Sequence, residues 1–281
     1  MRRVGYASRF CQRDWKKIYK QNTNKEMLLV VDVGNTDIVF GFYEDQTWKA
    51  VLRTPTHQPW SANGVVNWIK KEWASKDLGD TLPSLALISS VVPSISPQIQ
   101  RGLALWLGYS PTLMRPKLYE TLAIQVIVPE EIGSDLVANA VYAHENYKSN
   151  VLIVDFGTAL TFTLVNAEGK MEGVSIAPGL KTAVKSLFSQ TAQLPEVPLE
   201  MPEFNLGTDT VSAIQAGILW GYVGMVKEMI SRVKEDKKGD LKVVATGGLS
   251  SILTPLASYF DEVNKLITLE GLRLIAERLK A

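Results

Sequence analysis

The chain has 281 residues, 46% of them apolar and 21% charged, with a net charge of +1 and one cysteine. This composition excludes a chain that is disordered over most of its length, and no apolar run approaches the roughly 18 residues of a membrane-spanning helix. A single cysteine excludes an internal disulfide and fits a reducing compartment, and the near-neutral charge gives no reason to expect a nucleic-acid partner.

Basic residues are concentrated at the start of the chain. Residues 1–26 carry a charge of +6, whereas residues 27–281 carry −5. The segment lacks the apolar stretch of a secretory signal peptide. Because Met27 directly precedes the first strand-like run, we interpret residues 1–26 as an extension outside the core, either a dispensable upstream segment or a basic contact arm.

Hydrophobic periodicity predicts that strands alternate with helices through the rest of the chain. In chain order, the predicted elements are a strand pair at 28–42, a helix at 61–75, a strand at 85–92, a helix at 97–107, short strands at 111–114 and 122–128, a helix from 135, a strand pair at 152–165, a helix from 180, a loop at 193–206, a helix at 209–235, a strand at 242–246 and a helix at 269–280. This alternation predicts α/β domains.

Two segments of the chain repeat one pattern. Residues 28–36 and 152–159 each hold an apolar strand that ends in Asp-x-Gly and a polar turn, and a second strand follows. The two aspartates, Asp32 and Asp155, lie 123 positions apart, about the length of one domain, which predicts a duplicated domain. A carboxylate beside exposed turn amides suits a metal ion that carries a phosphate. One such turn alone would be an ordinary hairpin, but two in equivalent settings favour a binding site.

Two further motifs stand where a strand or loop leads into a helix. Residues 133–135 read Gly-Ser-Asp before an apolar-faced helix, and the amide groups of a helix N-terminus favour an anion. Asp135 is then either a capping carboxylate or a general base beside a bound substrate. Residues 246–248 read Thr-Gly-Gly after a strand, which allows a flat ligand to lie against the backbone. Residues 207–210, Gly-Thr-Asp-Thr, form a helix cap by default.

Together, these motifs resemble the superfamily of acetate and sugar kinases and actin, and within it the type III pantothenate kinases. The motifs that match, in the order of that family across residues 27–270, are 32–36, 133–135 with 138–140, 155–159, 176–179, 191–195, 207–210 and 246–249.

The resemblance implies an α/β fold of two duplicated actin-like, ribonuclease H-like domains, residues 27–148 and 149–281, with the ATP site in the cleft between them. It implies a cytoplasmic enzyme that phosphorylates pantothenate with ATP to 4'-phosphopantothenate, the first step of coenzyme A biosynthesis. The implied cofactors are ATP with Mg²⁺ and a monovalent cation, K⁺ or NH₄⁺. The implied partners are pantothenate, ATP and a second copy of the chain in a homodimer, with no nucleic acid and no membrane.

The resemblance also implies a role for each matching site residue. Asp135 would be the catalytic base that accepts the proton of the primary hydroxyl of pantothenate. The residues implied to bind ATP are Asp32, Val33, Gly34, Asn35, Thr36, Asp37, Ile38, Val39, Thr158, Gly247 and Gly248. The residues implied to bind pantothenate are Gly133, Ser134, Asp135, Leu136 and Thr210. Asp155 would hold the monovalent cation, and Asp32 would lie near the metal-bound phosphates of ATP.

Two positions depart from the family pattern. An arginine normally follows the catalytic aspartate, but this chain has Leu136; an aromatic residue often stands three positions before the proline of the substrate loop, but this chain has Val126. Loss of the arginine removes a charge-assisted hydrogen bond to a carboxylate substrate, so another basic group substitutes, or the substrate is held loosely, or it differs. Two alternatives therefore stay open: a kinase of the superfamily for another small hydroxyl compound, and a non-catalytic regulatory member of the family.

Overall fold

The computed structural model describes residues 26–189, 197–237 and 240–280, and strands and helices alternate along them. In the first half of the chain the elements of the described residues are β1 (Leu28–Val33), β2 (Asp37–Glu44), β3 (Thr47–Pro55), α1 (Ala62–Ser75), β4 (Leu85–Ser90), α2 (Ser96–Leu107), β5 (Thr112–Leu113), α3 (Pro116–Tyr119) and α4 (Ser134–Tyr147). In the second half they are β6 (Asn150–Phe156), β7 (Ala159–Val165), β8 (Met171–Pro178), α5 (Leu180–Ser189), α6 (Thr210–Asp236), β9 (Leu241–Thr246), a 3-10 helix (Thr254–Tyr259), β10 (Glu262–Val263) and α7 (Ile267–Leu279).

The two halves form sheets of the same topology. The strand order is β3-β2-β1-β4-β5 in the first sheet and β8-β7-β6-β9-β10 in the second. In each sheet the first three strands form an antiparallel meander, and the two later strands pair in parallel beside the first. The prediction of two duplicated α/β domains is confirmed by this match.

Buried side chains form three clusters, and one of them lies between the two sheets. The apolar runs of β1 and β6 are buried almost throughout, as strands covered on both faces require. Helix α4 and helix α7 supply much of the shared cluster, to which both sheets also contribute. Although α7 ends the chain, it packs on α4 and on β1 of the first sheet. The last helix therefore holds the second half of the chain against the first by packing on it.

Most predicted elements lie within a few residues of the observed ones, but the strand predicted at 122–128 is wrong. In that segment only Gln125 forms a bridge, to Lys170, through its N–H to the carbonyl of Gly169 and its carbonyl to the N–H of Met171. The chain then turns at Val128, whose φ is 40°, ahead of Pro129. The apolar residues of the segment pack against the cluster between the sheets instead of extending a ladder.

The structure describes only part of the loop predicted at 193–206. Residues 193–196 lie outside the described residues, and residues 197–206 contain no helix or strand. No helix in the described part of the chain combines the length and the apolar character needed to cross a bilayer.

We expect Gly271→Ala to destabilise the protein, because a methyl group at this position would lie 1.9 Å from the carbonyl oxygen of Ala138 on α4. Overpacking of this kind costs about 1–3 kcal/mol, which a urea unfolding curve would register as a lower midpoint. Gly173→Ala is the matched control, since among the described atoms nothing lies within 4 Å of a methyl group placed there. Equal midpoints for the two variants would contradict close packing of α7 on α4.

Candidate active site

The two repeated strand pairs face each other across one cavity of about 560 Å³. Asp32 stands near the end of β1 and Asp155 near the end of β6, and each strand is followed by a tight turn. In the first turn the N–H of Gly34 donates to the carbonyl of Asp37. The tips of the turns touch, because the hydroxyls of Thr36 and Thr158 are hydrogen-bonded at 2.7 Å. The repeat seen in the sequence is therefore a pair of opposed turns in space.

Most of the predicted site residues line this cavity. Those that do so are Asp32, Gly34, Asn35, Thr36, Asp37, Val39, Asp135, Leu136, Asp155, Thr158, Gly247 and Gly248. Five predicted residues are placed elsewhere: Val33, Ile38, Gly133, Ser134 and Thr210.

The positions of these five residues have simple causes. Val33 and Ile38 point to the opposite face of the sheet and are fully buried in the core of the first domain, because side chains alternate along a strand. Gly133 is the N-cap of α4, and Ser134, the first residue of that helix, is buried against Ser89 and Ser90 of β4. Thr210 begins α6 and is exposed, and the preceding Asp209 caps that helix.

Asp135 is held at the start of α4 by the residues on either side of it. The hydroxyl of Ser134 accepts the N–H of Ser90 at 3.0 Å and is hydrogen-bonded to Ser89 at 2.8 Å, which fixes the helix start against β4. A Cβ at Gly133 would lie 2.4 Å from a carboxylate oxygen of Asp135, so any larger residue there would displace that carboxylate. The N–H of Leu136 donates to the same carboxylate at 2.8 Å.

Burial raises the pKa values of the three aspartates in the cavity, and repulsion between carboxylates adds to this at Asp32 and Asp155. Burial, then the charges of Asp135 and Asp155, raise the pKa of Asp32 to about 7, against a hydrogen bond from Ser89 and the charge of Arg53. Burial, then the charge of Asp135, raise the pKa of Asp155 to about 7. Burial also raises the pKa of Asp135, against the backbone N–H of Leu136. The cavity thus favours protons or cations on its carboxylates.

Two features of this cavity suit a cation: its negative charge and one carboxylate oxygen that has no hydrogen-bond partner among the described residues. Among the described residues, Asp32 Oδ1 is buried and has no hydrogen-bond partner. In the same part of the chain, no three histidine, cysteine, aspartate or glutamate side chains lie close enough to hold one ion. A cation would therefore take one or two carboxylates and complete its shell with phosphate oxygens, backbone carbonyls or water, as Mg²⁺ commonly does.

Three cationic side chains also line the cavity, and the sequence did not single them out. They are Arg53 on β3, Lys181 at the start of α5 and Lys265 just before α7. Arg53 donates to Asp37 Oδ2 at 2.9 Å, which holds the guanidinium beside the first turn. Arg53 is an exposed residue of β3, like several of its neighbours on that strand. No sequence pattern was therefore specific enough to select it.

The end of the cavity near β9 is bounded by two glycines and the start of α7. Gly247 has a φ of 89°, and a Cβ there would lie 2.6 Å from the carbonyl oxygen of Phe156, so the position requires glycine. Beside Gly248 no described atom would lie within 4 Å of an added methyl group. Thr268 and Leu269 of α7 line the same end. These α7 residues were missed because only the fold brings the end of the chain to the cavity.

The similarity of this chain to known proteins extends over most of its length. The family model described as type III pantothenate kinase matches residues 28–232. A protein named type III pantothenate kinase from Geobacter sulfurreducens is 38% identical over 252 residues, which cover 90% of this chain and 99% of that protein. Another with this name, from Finegoldia magna, is 33% identical over 258 residues, covering 89% of this chain and 97% of that protein.

Solved structures share the fold at low sequence identity. A crystal structure described as a Baf family transcriptional activator, from Campylobacter jejuni, has a TM-score of 0.56 at 16% identity. The match covers 90% of this chain and 98% of the chain in that structure. A second structure, described as a 2-dehydro-3-deoxygalactonokinase from Sinorhizobium meliloti, has a TM-score of 0.55 at 13% identity. The match covers 89% of this chain and 96% of the chain in that structure. Because the family model matches residues 28–232 and relatives of that name are 33–38% identical over about 90% of the chain, the chain belongs to the type III pantothenate kinase family.

Proposed function

We propose that the protein transfers the terminal phosphoryl group of ATP to the primary hydroxyl of pantothenate, giving 4'-phosphopantothenate and ADP, the first step of coenzyme A biosynthesis. The observation that carries the proposal is the convergence of Asp32, Asp135 and Asp155 on one cavity between two opposed turns. Membership of the family supports the choice of substrate.

Asp135 is the proposed catalytic base. Its carboxylate lines the cavity at the N-terminus of a helix, and burial raises its pKa, which favours uptake of a proton. The proton moves from the substrate hydroxyl to Asp135 as the hydroxyl oxygen bonds to the terminal phosphorus, and the bond from that phosphorus to the bridging oxygen of ADP breaks. In phosphoryl transfer most of the catalysis comes from positioning and charge neutralisation.

The turns and the cationic side chains are proposed to bind ATP. Residues 32–39 and Thr158 would surround the phosphates, with Arg53 and Lys181 as the neutralising side chains that line the same cavity. Gly248, beside which no described atom would lie within 4 Å of an added methyl group, leaves room for a flat group against the backbone, and Gly247 gives the turn before it its conformation. Val33 and Ile38 would support the first turn from the core, since their side chains are fully buried.

Two cations are proposed for the carboxylates. Mg²⁺ with ATP would lie near Asp32, whose Oδ1 is without a partner among the described residues, and a monovalent cation, K⁺ or NH₄⁺, would lie at Asp155. When bound, these cations supply positive charge to the phosphates and the carboxylates. Asp32 and Asp155 then remain ionised despite their burial.

A second candidate, a kinase for another small hydroxyl compound, is favoured by one observation. Leu136 lines the cavity directly after Asp135, where an apolar side chain offers no charge to a carboxylate substrate. Against this, Arg53, Lys181 and Lys265 line the same cavity and supply the basic groups that Leu136 lacks. The presence of these groups supports pantothenate as the first substrate to test.

A homodimer is also proposed. Ala213, Gly217 and Gly221 form an exposed stripe of small residues on α6, which allows close approach of another backbone. Ile176 on β8 is 70% exposed and Leu206 is 85% exposed. The loop that carries Leu206 is tied to α6, because Trp220 Nε1 donates to the carbonyl of Phe204. A small-residue stripe and exposed apolar side chains support a second copy of the chain as partner.

We also propose a division of the chain into two domains and a cytoplasmic location. A division into residues 27–148 and 149–281 is supported by the two sheets of equal topology, with α7 returning to the first. Of the basic extension at 1–26, residues 1–25 lie outside the described residues. A cytoplasmic location fits an enzyme that uses ATP, and small molecules are its proposed ligands, with no nucleic-acid or membrane partner.

We expect Asp135→Asn to lower kcat for pantothenate phosphorylation by about 10²–10⁴-fold, because an amide cannot accept the hydroxyl proton. ADP release would be measured with ATP, Mg²⁺, K⁺ and pantothenate, and the KM for ATP should change little. Glu131→Gln is the control, an exposed acid a few residues upstream. More than a tenth of the normal kcat in Asp135→Asn would contradict its role as base, and no pantothenate-dependent ADP release by the unaltered protein would contradict the proposed function.

In buffer free of Mg²⁺ and K⁺, we expect Asp32→Asn to stabilise the protein at pH 8. The pKa of Asp32 is raised from 3.8 to about 7, so the folded state binds the proton more tightly and unaltered protein loses stability as the pH rises through that window. The loss is about 1.4 kcal/mol for each pH unit between the two pKa values. Denaturant unfolding at pH 4 and pH 8 should therefore show the advantage of the variant at pH 8 alone.

The control for this experiment is Asp37→Asn, which removes a carboxylate from the same cavity that is paired with Arg53. It should give no stabilisation at pH 8. If Asp32→Asn were less stable than the unaltered protein at pH 8, the carboxylate of Asp32 would not be destabilised by its surroundings.

We expect Gly221→Trp to convert a homodimer to monomers, because the indole would occupy the space needed for close approach of a second α6. Light scattering after gel filtration would measure the mass. Leu105→Glu is the control, since Leu105 is an exposed apolar residue of α2 in the other half of the chain. An unchanged dimer mass in Gly221→Trp would move the interface away from α6.

A further inference from the structure

Asn139 is a buried polar residue of α4 that neither the sequence motifs nor the proposed reaction explains. It lies four positions after Asp135, and residues at this spacing share one face of a helix. Its side chain is fully buried and sits beside apolar residues of the cluster between the two sheets, such as Ala138 and Ala140. A buried amide is costly unless its polar atoms have partners, so its contacts reveal what it does.

Both ends of the Asn139 amide have a partner. Nδ2 donates to Asp155 Oδ2 at 3.2 Å, and Oδ1 accepts the hydroxyl of Thr268 on α7 at 2.8 Å. The opposite orientation of the amide would turn its oxygen toward a carboxylate, so the charge of Asp155 fixes which end faces it. Thr268 secures the other end from a different helix.

The contact leaves the two oxygens of Asp155 in different surroundings. Among the described residues, Asn139 supplies the hydrogen bond from a side chain to this carboxylate, and it reaches Oδ2. The other oxygen, Oδ1, lies beside the two glycines that follow β9 and β6, 2.7 Å from the position of a Cβ at Gly247 and 3.6 Å from one at Gly157. One oxygen is therefore held by Asn139, and the other lies beside these glycines in a side chain that lines the cavity.

We infer that Asn139 is a positioning residue that holds Asp155 through Oδ2 so that Oδ1 is presented to the monovalent cation, and that Thr268 fixes Asn139 from α7. The inference deepens the proposed function and rests on its assignment of Asp155 to that cation. Partners that orient a ligating side chain typically change metal affinity by 10–100-fold when they are removed, although they never touch the metal.

The test measures K⁺ binding without the reaction. The thermal midpoint of the protein is followed as KCl replaces tetramethylammonium chloride at constant ionic strength, which gives the K⁺ concentration for half-maximal stabilisation. Asn139→Leu removes both hydrogen bonds with little change in volume, and Thr268→Val removes only the anchor. Asn146→Leu is the matched control, because Asn146 is an exposed amide on the same helix that donates to the carbonyl of Tyr142.

We expect the half-maximal K⁺ concentration to rise about tenfold in Asn139→Leu and about threefold in Thr268→Val, and to stay unchanged in Asn146→Leu. In steady-state assays, the K⁺ concentration for half-maximal activity should shift in parallel with the concentration for half-maximal stabilisation. A merely structural role would lower the thermal midpoint at every K⁺ concentration without moving the half-maximal value. Should Asn139→Leu fail to fold, Thr268→Val carries the test alone.

Two results would overturn the inference. One is an unchanged half-maximal K⁺ concentration in both variants, and the other is a K⁺ response that persists in Asp155→Asn, since the cation would then bind elsewhere. Either result leaves pantothenate phosphorylation by the unaltered protein intact. Failure of the proposed function is seen separately, as absence of pantothenate-dependent ADP release.

Discussion

Repulsion among three buried carboxylates is the constraint on which the rest of the site depends. Asp32, Asp135 and Asp155 each lie in surroundings that disfavour their charge, and Asp135 further raises the pKa of the other two. The protein offsets this only in part, through hydrogen bonds to each carboxylate and the nearby charge of Arg53. What remains is a cavity with a standing affinity for positive charge, as a site that binds a phosphate together with its cations requires.

The duplicated topology explains why two of the carboxylates have equivalent surroundings. Asp32 pairs in register with Ser89 on the parallel neighbour of β1, and Asp155 pairs with Thr246 on the parallel neighbour of β6. In both sheets a short hydroxyl residue thus stands beside the aspartate at the carboxyl end of the central strand. The third carboxylate has no counterpart of this kind, because Asp135 comes from the helix between the two sheets. That one helix makes an asymmetric site from a symmetric pair of opposed turns.

The sequence was sufficient for the parts of the molecule that depend on local pattern. The repeat around Asp32 and Asp155 predicted the duplicated fold, and the Gly-Ser-Asp motif placed Asp135 in the first turn of a helix, because strand ends and helix starts are short-range features. The strand predicted at 122–128 was wrong, since its apolar residues serve a core between the sheets and not a ladder. Sequence periodicity does not distinguish these two uses of an apolar run.

Other site residues depend on long-range contacts that no local pattern contains. Thr268 and Lys265 reach the cavity only because α7 returns to the first sheet at the end of the chain. Val33 and Ile38 belong to the matched turn, yet the alternation of β1 and β2 directs them into the core. A motif therefore identifies a segment of backbone, and the sheet then determines which of its side chains meet the ligand.

Helix α4 connects the two functions of the cavity. Asp135 and Asn139 stand one turn apart on it, so the proposed base and the partner of Asp155 belong to one rigid element. Its start is fixed to β4 through Ser134, and its middle is fixed to α7 through Ala138, whose carbonyl leaves room only for glycine at position 271. Movement of α4 that displaced Asp135 would also displace the hydrogen bond to Asp155. Substrate activation and cation binding are for this reason expected to respond together to any change in the packing of α7 on α4, even though neither Gly271 nor Ala138 lines the cavity.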